Sequence, residues 1–276
     1  MNQTLRLIIR TDLRESMRSK WFWFYSFVFC SLMAVFFASG VTESRVQGFS
    51  GLGRLLLLFI QTCIVILPIF ILITTVRTIV SDRDSNVLEY LLSFPVSLKD
   101  YYFGRLIGRF IAVTMPILLS LALALVFGII SGADTPWLIF IYYTLLMISL
   151  IINFLGFSFF ISSCAKTQES ALGIAFFVWL FLLAFIDILL IGALSSGLSE
   201  PNIVFSIALA NPLQVFRTGA VLLFDPELTV MGVAAYFILD SFGKTFFAFY
   251  ALLYPALLGG IFALLGFIIF KRKDLV

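Results

Sequence analysis

The sequence predicts an all-α integral membrane protein with six transmembrane helices and an amphipathic helix ahead of the first. Three observations lead there. The 276 residues are 62% hydrophobic and 12% charged, with a mean hydropathy of +1.12, whereas soluble domains run at about 45–50% apolar and about 25% charged. The chain holds six charge-poor stretches of the length, about 20 residues, that a helix needs to cross a hydrocarbon core of about 30 Å. If these stretches cross in alternation, the basic residues gather on one side. The 33 phenylalanines suit an acyl-chain solvent, because a water-soluble surface would be left with large apolar patches.

The elements follow in order. Residues 1–20 place Leu5, Ile9, Leu13 and Met17 in one i, i+4 stripe and Arg6, Arg10, Arg14 and Arg18 in a second. That pattern fits a helix lying along the inner leaflet with its guanidiniums on lipid phosphates. A basic flank that only fixes topology would carry the same arginines. Asp12 and Glu15 interrupt the basic region, and no small-residue cleavage site follows the first apolar run, so the segment does not read as a cleavable signal peptide. The spans are residues 21–41, 55–76, 106–130, 137–162, 171–194 and 246–270. They make a transmembrane domain over 21–270, followed by a basic tail over 271–276. Pro68, Pro116 and Pro255 sit inside spans and are expected to kink them.

With the N-terminus inside, fourteen basic residues fall on the inner side: Arg6, Arg10, Arg14, Arg18, Lys20, Arg77, Arg83, Lys99, Arg105, Arg109, Lys166, Lys271, Arg272 and Lys273. Arg45, Arg54, Arg217 and Lys244 fall outside. Both ends are therefore expected to be cytoplasmic, with residues 195–244 as the largest outer excursion.

The densest ionisable cluster is the inner loop after the second span. Asp82, Arg83 and Asp84 precede Val87, Leu88, Glu89, Leu91 and Leu92, which reads as a short amphipathic helix with acid at its N-terminus and Pro95 as its stop. Ser97 is placed to cap a second short helix running through Tyr101 to Gly104 and Gly108, whose small side chains permit close packing of the third span on a neighbour. An amphipathic helix on this side can dock a cytoplasmic partner, or the segment can be a solvated linker.

From Val80 to Gly108 the chain, with Leu88-Glu89-Tyr90-Leu91-Leu92, Pro95-Val96-Ser97 and Gly104-Arg105-Leu106-Ile107-Gly108, resembles the hallmark loop of type-2 ABC exporter permeases. The elbow helix, the six spans, the loop Lys166-Thr167-Gln168-Glu169 and the basic C-terminus resemble that family over essentially the whole chain. The family usually has Gly-Thr where this chain has Asn86-Val87; asparagine tolerates a left-handed backbone, so the turn is expected to survive. The resemblance implies the type-2 ABC exporter permease fold and a non-catalytic subunit in a bacterial inner membrane. It also implies a homodimer served by a separate ABC ATPase that binds ATP and Mg. The residues it implies for ATPase coupling are Asp82, Arg83, Asp84, Glu89, Leu92, Pro95, Lys166, Gln168 and Glu169. Within the family, the length, the Met-Asn-Gln start and the string Asn211-Pro212-Leu213-Gln214-Val215-Phe216-Arg217 are most similar to the permeases of nitrous-oxide reductase maturation. That likeness implies a periplasmic copper-site assembly protein as partner, with Asn211, Pro212, Phe216 and Arg217 as its contacts. The alternative is a generic exporter of a lipid, drug or peptide.

The residues themselves exclude other classes. The chain has no histidine, which removes Ser-His and Cys-His pairs and HExxH zinc sites. Cys30, Cys63 and Cys164 are isolated and read as small apolar residues. The closest approach to a phosphate-binding loop is Gly243-Lys244-Thr245, which has Ile238 where the first glycine belongs. Gly132-Ala133-Asp134 falls short of the GxGD of intramembrane aspartyl proteases. Met17, Met33, Met115, Met147 and Met231 are scattered, so no Cu(I) conduit is expected. The net charge of +3 does not argue for nucleic acid; lipids are the expected surroundings of the arginine stripe.

Two segments stay open. Asp187 interrupts the fifth span about 16 residues from its inner end, roughly 24 Å up, as a wet interfacial carboxylate or an ion site. Residues 195–244 are too apolar for a free loop and too broken for a span. They read as one or two short helices at the outer surface, or as a plug over the mouth of the bundle.

Overall fold

The computed structural model describes residues 3–38, 52–92, 94, 96–130, 137–188, 192, 201–224 and 240–273, and all the regular structure among them is helical. In order the helices are α1 (Gln3–Arg18), α2 (Lys20–Ala38), α3 (Leu52–Thr75), α4 (Thr78–Asp84), α5 (Val87–Leu92), α6 (Leu98–Ile130), α7 (Trp137–Cys164), α8 (Gln168–Leu180), α9 (Pro201–Ala210), α10 (Pro212–Phe224) and α11 (Lys244–Lys273). Five of the runs are long and apolar enough to cross a membrane: Leu55–Asp84, Leu98–Ile130, Trp137–Cys164, Gln168–Ile188 and Lys244–Arg272. A sixth is reached if α1 and α2, bent by 69° at their junction, are taken together. The predicted end of the first span, at residue 41, lies outside the described residues.

α7 occupies the middle of the bundle and packs on α3, α6, α10 and α11. Its own sequence is apolar all round, as suits a span that meets other helices along much of its length and lipid at Trp137, Leu138 and Ile141. In hydrocarbon, apolar contact alone gives helices little reason to choose one another, so small residues and hydroxyls specify the neighbours. Both devices are present. Gly156 of α7 and Gly259 of α11 meet so closely that a Cβ on either would overlap the other helix's backbone. Along α7, Tyr143 donates to Ala220 O at 2.8 Å, Ser149 donates to Leu252 O at 2.6 Å, and the Ser158 hydroxyl lies 2.5 Å from that of Thr75.

Two expectations about the elements are corrected. Ser97 does cap a helix, its Oγ accepting from Asp100 N at 3.0 Å, but that helix is not short. α6 runs without a break from Leu98 to Ile130, eight residues ahead of the predicted span. Pro68, Pro116 and Pro255 lie inside α3, α6 and α11, where the sequence places them. After the second span the helix is interrupted at Val76 and Arg77, where Ser162 of α7 accepts from the N–H groups of both Ile79 and Val80 at 3.1 Å. Secondly, α1 turns Leu5, Ile8, Asp12 and Ser16 toward α6, not a purely apolar stripe. Ile8 and Leu5 lie over Gly104, and Asp12 lies over Gly108. Arg6, Arg10, Arg14 and Arg18 are all exposed, as the second predicted stripe requires.

Gly156→Val and Gly259→Val each place a branched side chain where two backbones touch. Both variants are expected to lose most of the detergent-soluble, monodisperse protein recovered from membranes, while Gly173→Ala, which meets nothing within 4 Å, should behave as wild type in the same size-exclusion assay.

Candidate functional site

The loop between α3 and α6 folds as a helical hairpin. α4 ends at Asp84; Asn86 then takes a left-handed backbone (φ 57°), the conformation expected of the residue standing in for glycine. α5 follows, and Leu88 is its buried anchor. The hairpin leaves Val87, Tyr90 and Phe94 exposed, with Tyr90 67% accessible. The Tyr90 and Phe94 rings meet edge to face at 5.3 Å. An aromatic pair presented in this way, on helices too short to be stable alone, is a surface suited to a partner.

Beneath the hairpin, Arg105 of α6 gathers three carboxylates from two other elements. Its Nη1 donates to Asp12 Oδ1 of α1 at 2.8 Å and to Glu15 Oε2 at 3.2 Å, and its Nη2 donates to Asp82 Oδ2 of α4 at 2.5 Å. Tyr101 OH donates to the same Asp82 oxygen at 2.5 Å. Arg109 Nε lies 3.3 Å from Asp12 Oδ1. Asp12 is only 1% exposed. Burial pushes its carboxyl above the ordinary aspartate value, and Arg109 and Arg105 pull it part of the way back. The planar fork of an arginine suits this bridging, because each terminal nitrogen can serve a different acid.

Of the residues that the sequence assigns to ATPase coupling, several converge. Arg83 Nη1 lies 3.5 Å from Ala165 O, and Gln168 Nε2 lies 3.4 Å from Ser81 Oγ, so the α4 hairpin and the α7–α8 connection form one face. Thr167 caps α8 in a reciprocal capping box with Ser170, which leaves Lys166 and Glu169 exposed at its start. Asp84 is exposed as well. Asp82 is not: it turns inward to Arg105 and Tyr101, so it holds the hairpin to α6 and does not face outward. The side chains of Glu89 and Leu92, and Pro95, lie outside the described residues. Sequence reading missed Asp12, Tyr101 and Arg105 as a unit. The i, i+4, i+8 alignment of Tyr101, Arg105 and Arg109 was a signal, but which acids they would meet is set by tertiary packing.

At the other end of the bundle, the predicted contact string folds inward. Asn211 caps α10, its Oδ1 accepting from Leu213 N at 3.0 Å, with Pro212 as the first helical residue. Asn211 Nδ2 donates to Leu182 O at 2.7 Å, inside a π-helical turn over Phe181–Phe185 that continues α8. Asn211, Pro212 and Phe216 are buried within this chain, so their side chains are not surface contacts. Arg217 alone of the four is exposed. Asp187 accepts from Gln214 Nε2, and both border a cavity of about 250 Å³ shared with Gln61 and Arg217. Among the described residues no group of three or more metal-ligating side chains occurs.

The family model described as ABC-2 family transporter protein matches residues 6–275. The chain belongs to the ABC-2 transporter family. Two curated relatives lie within reach of sequence comparison. The probable ABC transporter permease protein NosY of Stutzerimonas stutzeri is 24% identical over 284 residues, covering 99% of each chain. The protein of the same name from Pseudomonas aeruginosa is 23% identical over 217 residues, covering 76% of this chain and 78% of its own. The ABC-2 membership places the α4–α5 hairpin in a permease, where exposed helices between spans need a function other than catalysis.

Removing the guanidinium at Arg105 strands buried acid on α1 and α4, and breaking such a pair costs about 3–5 kcal/mol. Arg105→Leu is therefore expected to lower the thermal unfolding midpoint of the purified ABC-2 permease by several degrees. Arg105→Lys keeps the charge but cannot bridge as a fork, and should fall between the two when followed by tryptophan fluorescence.

Proposed function

We propose that this chain is the membrane subunit through which a separate ABC ATPase drives conformational work, as a homodimer with both termini in the cytoplasm of a bacterial inner membrane. The observation that carries the reading is the single face made by the α4–α5 hairpin and the start of α8, with Tyr90 and Phe94 as its apolar centre and Asp84, Lys166 and Glu169 at its rim. Apolar centres with charged rims are how protein interfaces are commonly built. ATP and Mg belong to the partner in this reading.

The finer role we infer is copper-site maturation of nitrous-oxide reductase, with force passed to a periplasmic copper-site assembly protein. It is supported by the resemblance of the outer string and by the two NosY relatives. Any contact to that partner rests on Arg217 and its exposed neighbours, and the other three residues of the string serve to seat α10. A second reading, export of a small amphiphile, is favoured by the cavity bordered by Asp187, Gln214, Gln61 and Arg217.

The test is co-expression of tagged permease with a separate ABC ATPase subunit from the same organism. The ATPase is expected to co-purify with the wild type, and Tyr90→Asp is expected to reduce its recovery and ATP turnover about tenfold or more, since hot-spot aromatics contribute about 2 kcal/mol or more. Failure of wild-type permease to retain any ATPase would overturn the assignment. Stimulation of turnover by the periplasmic protein would select maturation, and stimulation by an added amphiphile would select export.

A further inference from the structure

Where α1 meets α2, a second cavity of about 220 Å³ opens between these helices, α3 and α6. Arg77 and Arg109 both border it. Arg77 stands in the break between α3 and α4 with its side chain exposed, at the inner flank of the second span, the level at which basic side chains meet lipid headgroups. It has no acid partner among the described residues. The terminal nitrogens of Arg109 have none either, since Asp12 engages only its Nε. Arg105 nearby, by contrast, is held by carboxylates.

Two further observations say what would fill it. Ser16, 6% exposed, borders the cavity with a buried hydroxyl that has no hydrogen-bond partner. Two guanidiniums and a free hydroxyl match the oxygens of a phosphate. The rest of the wall includes Trp21 and Ile73, which are 54% and 40% exposed on the outside of the bundle. A tryptophan at the first turn of a span is the usual occupant of the headgroup level. A soluble phosphate would leave this apolar wall wet, whereas a phospholipid covers it with glycerol and acyl chain.

We propose that this cleft is a binding site for one anionic phospholipid, whose phosphate is held by Arg77, Arg109 and Ser16 and whose chains lie along Trp21 and Ile73. The lipid supplies the counter-charge that the protein withholds from Arg77 and fills the angle between the elbow helix and the bundle. The site is independent of whichever substrate or partner the permease serves.

The experiment is native mass spectrometry of the full-length chain in detergent, titrated with phosphatidylglycerol, phosphatidylcholine or inorganic phosphate. Wild type is expected to retain one phosphatidylglycerol per chain and to prefer it to phosphatidylcholine. Arg77→Gln, an exposed position whose change should not impair folding, is expected to bind about tenfold more weakly, since a charge-assisted hydrogen bond of that kind is worth about a factor of ten. Arg77→Lys should recover part of the loss, and Arg217→Gln, at the opposite end, none of it should incur. Equal retention of the two lipids, no loss in Arg77→Gln, an equal loss in Arg217→Gln, or displacement of phosphatidylglycerol by millimolar inorganic phosphate would each overturn the proposal.

Discussion

Every break in a helix inside a bilayer exposes backbone groups to a solvent that offers them nothing, and the architecture of this chain follows from how each break is answered. The interruption at Val76 and Arg77 is tolerated because Ser162 accepts from the two N–H groups that open α4. The π-helical turn at Phe181–Phe185 is matched by the Asn211 side chain, which donates to Leu182 O. The carbonyls ending α9 receive the hydroxyls of Tyr250 and Tyr254 at 3.0 Å and 2.5 Å. In each case a side chain from another helix substitutes for water, so these three irregular segments are tied to the bundle.

The same constraint explains what was legible in the sequence. Span positions were readable because hydropathy is a local property, and α7 lies where its charge-free run places it. The left-handed turn at Asn86 was readable because it depends on one residue's conformational freedom. The short helix after Asp84 was readable through its amphipathic run and the family resemblance. What stayed hidden depends on pairings between distant helices. Phe216 and Arg217 stand side by side in a string that sequence alone assigns to one surface, yet burial takes Phe216 inward and leaves Arg217 out. Asp12 looked like an interruption of a basic helix until Gly108 made room for it beneath Arg105 and Arg109.

Glycine choice and charge placement are coupled at that point. Gly104 and Gly108 bring α1 so near to α6 that Ile8 and Asp12 sit where a larger residue's Cβ would be. Close approach excludes water and raises the cost of the Asp12 carboxylate, which the two guanidiniums offset in part. Without the glycines the acid would lie in the headgroup region and need no partner; without the arginines the close approach would bury an uncompensated charge.

Arg105 therefore joins three elements that have no continuous backbone path between them over short range: the elbow helix α1, the hairpin helix α4 and the third span α6. A displacement of the hairpin, as docking by an ATPase would impose, pulls on Asp82 and is shared through Arg105 with Asp12 and Glu15 of α1. α1 in turn meets α2 at a sharp bend, so a shift along α1 becomes a change of tilt in the first span. The hairpin also holds the α7–α8 connection through Arg83 and Gln168, and α7 reaches α10 through Tyr143. Motion at the basic end thus has two rigid routes, one to α2 along the periphery and one to α10 through the centre. The central route ends beside Arg217, the exposed member of the outer string, which is where work on a partner across the membrane would have to be delivered.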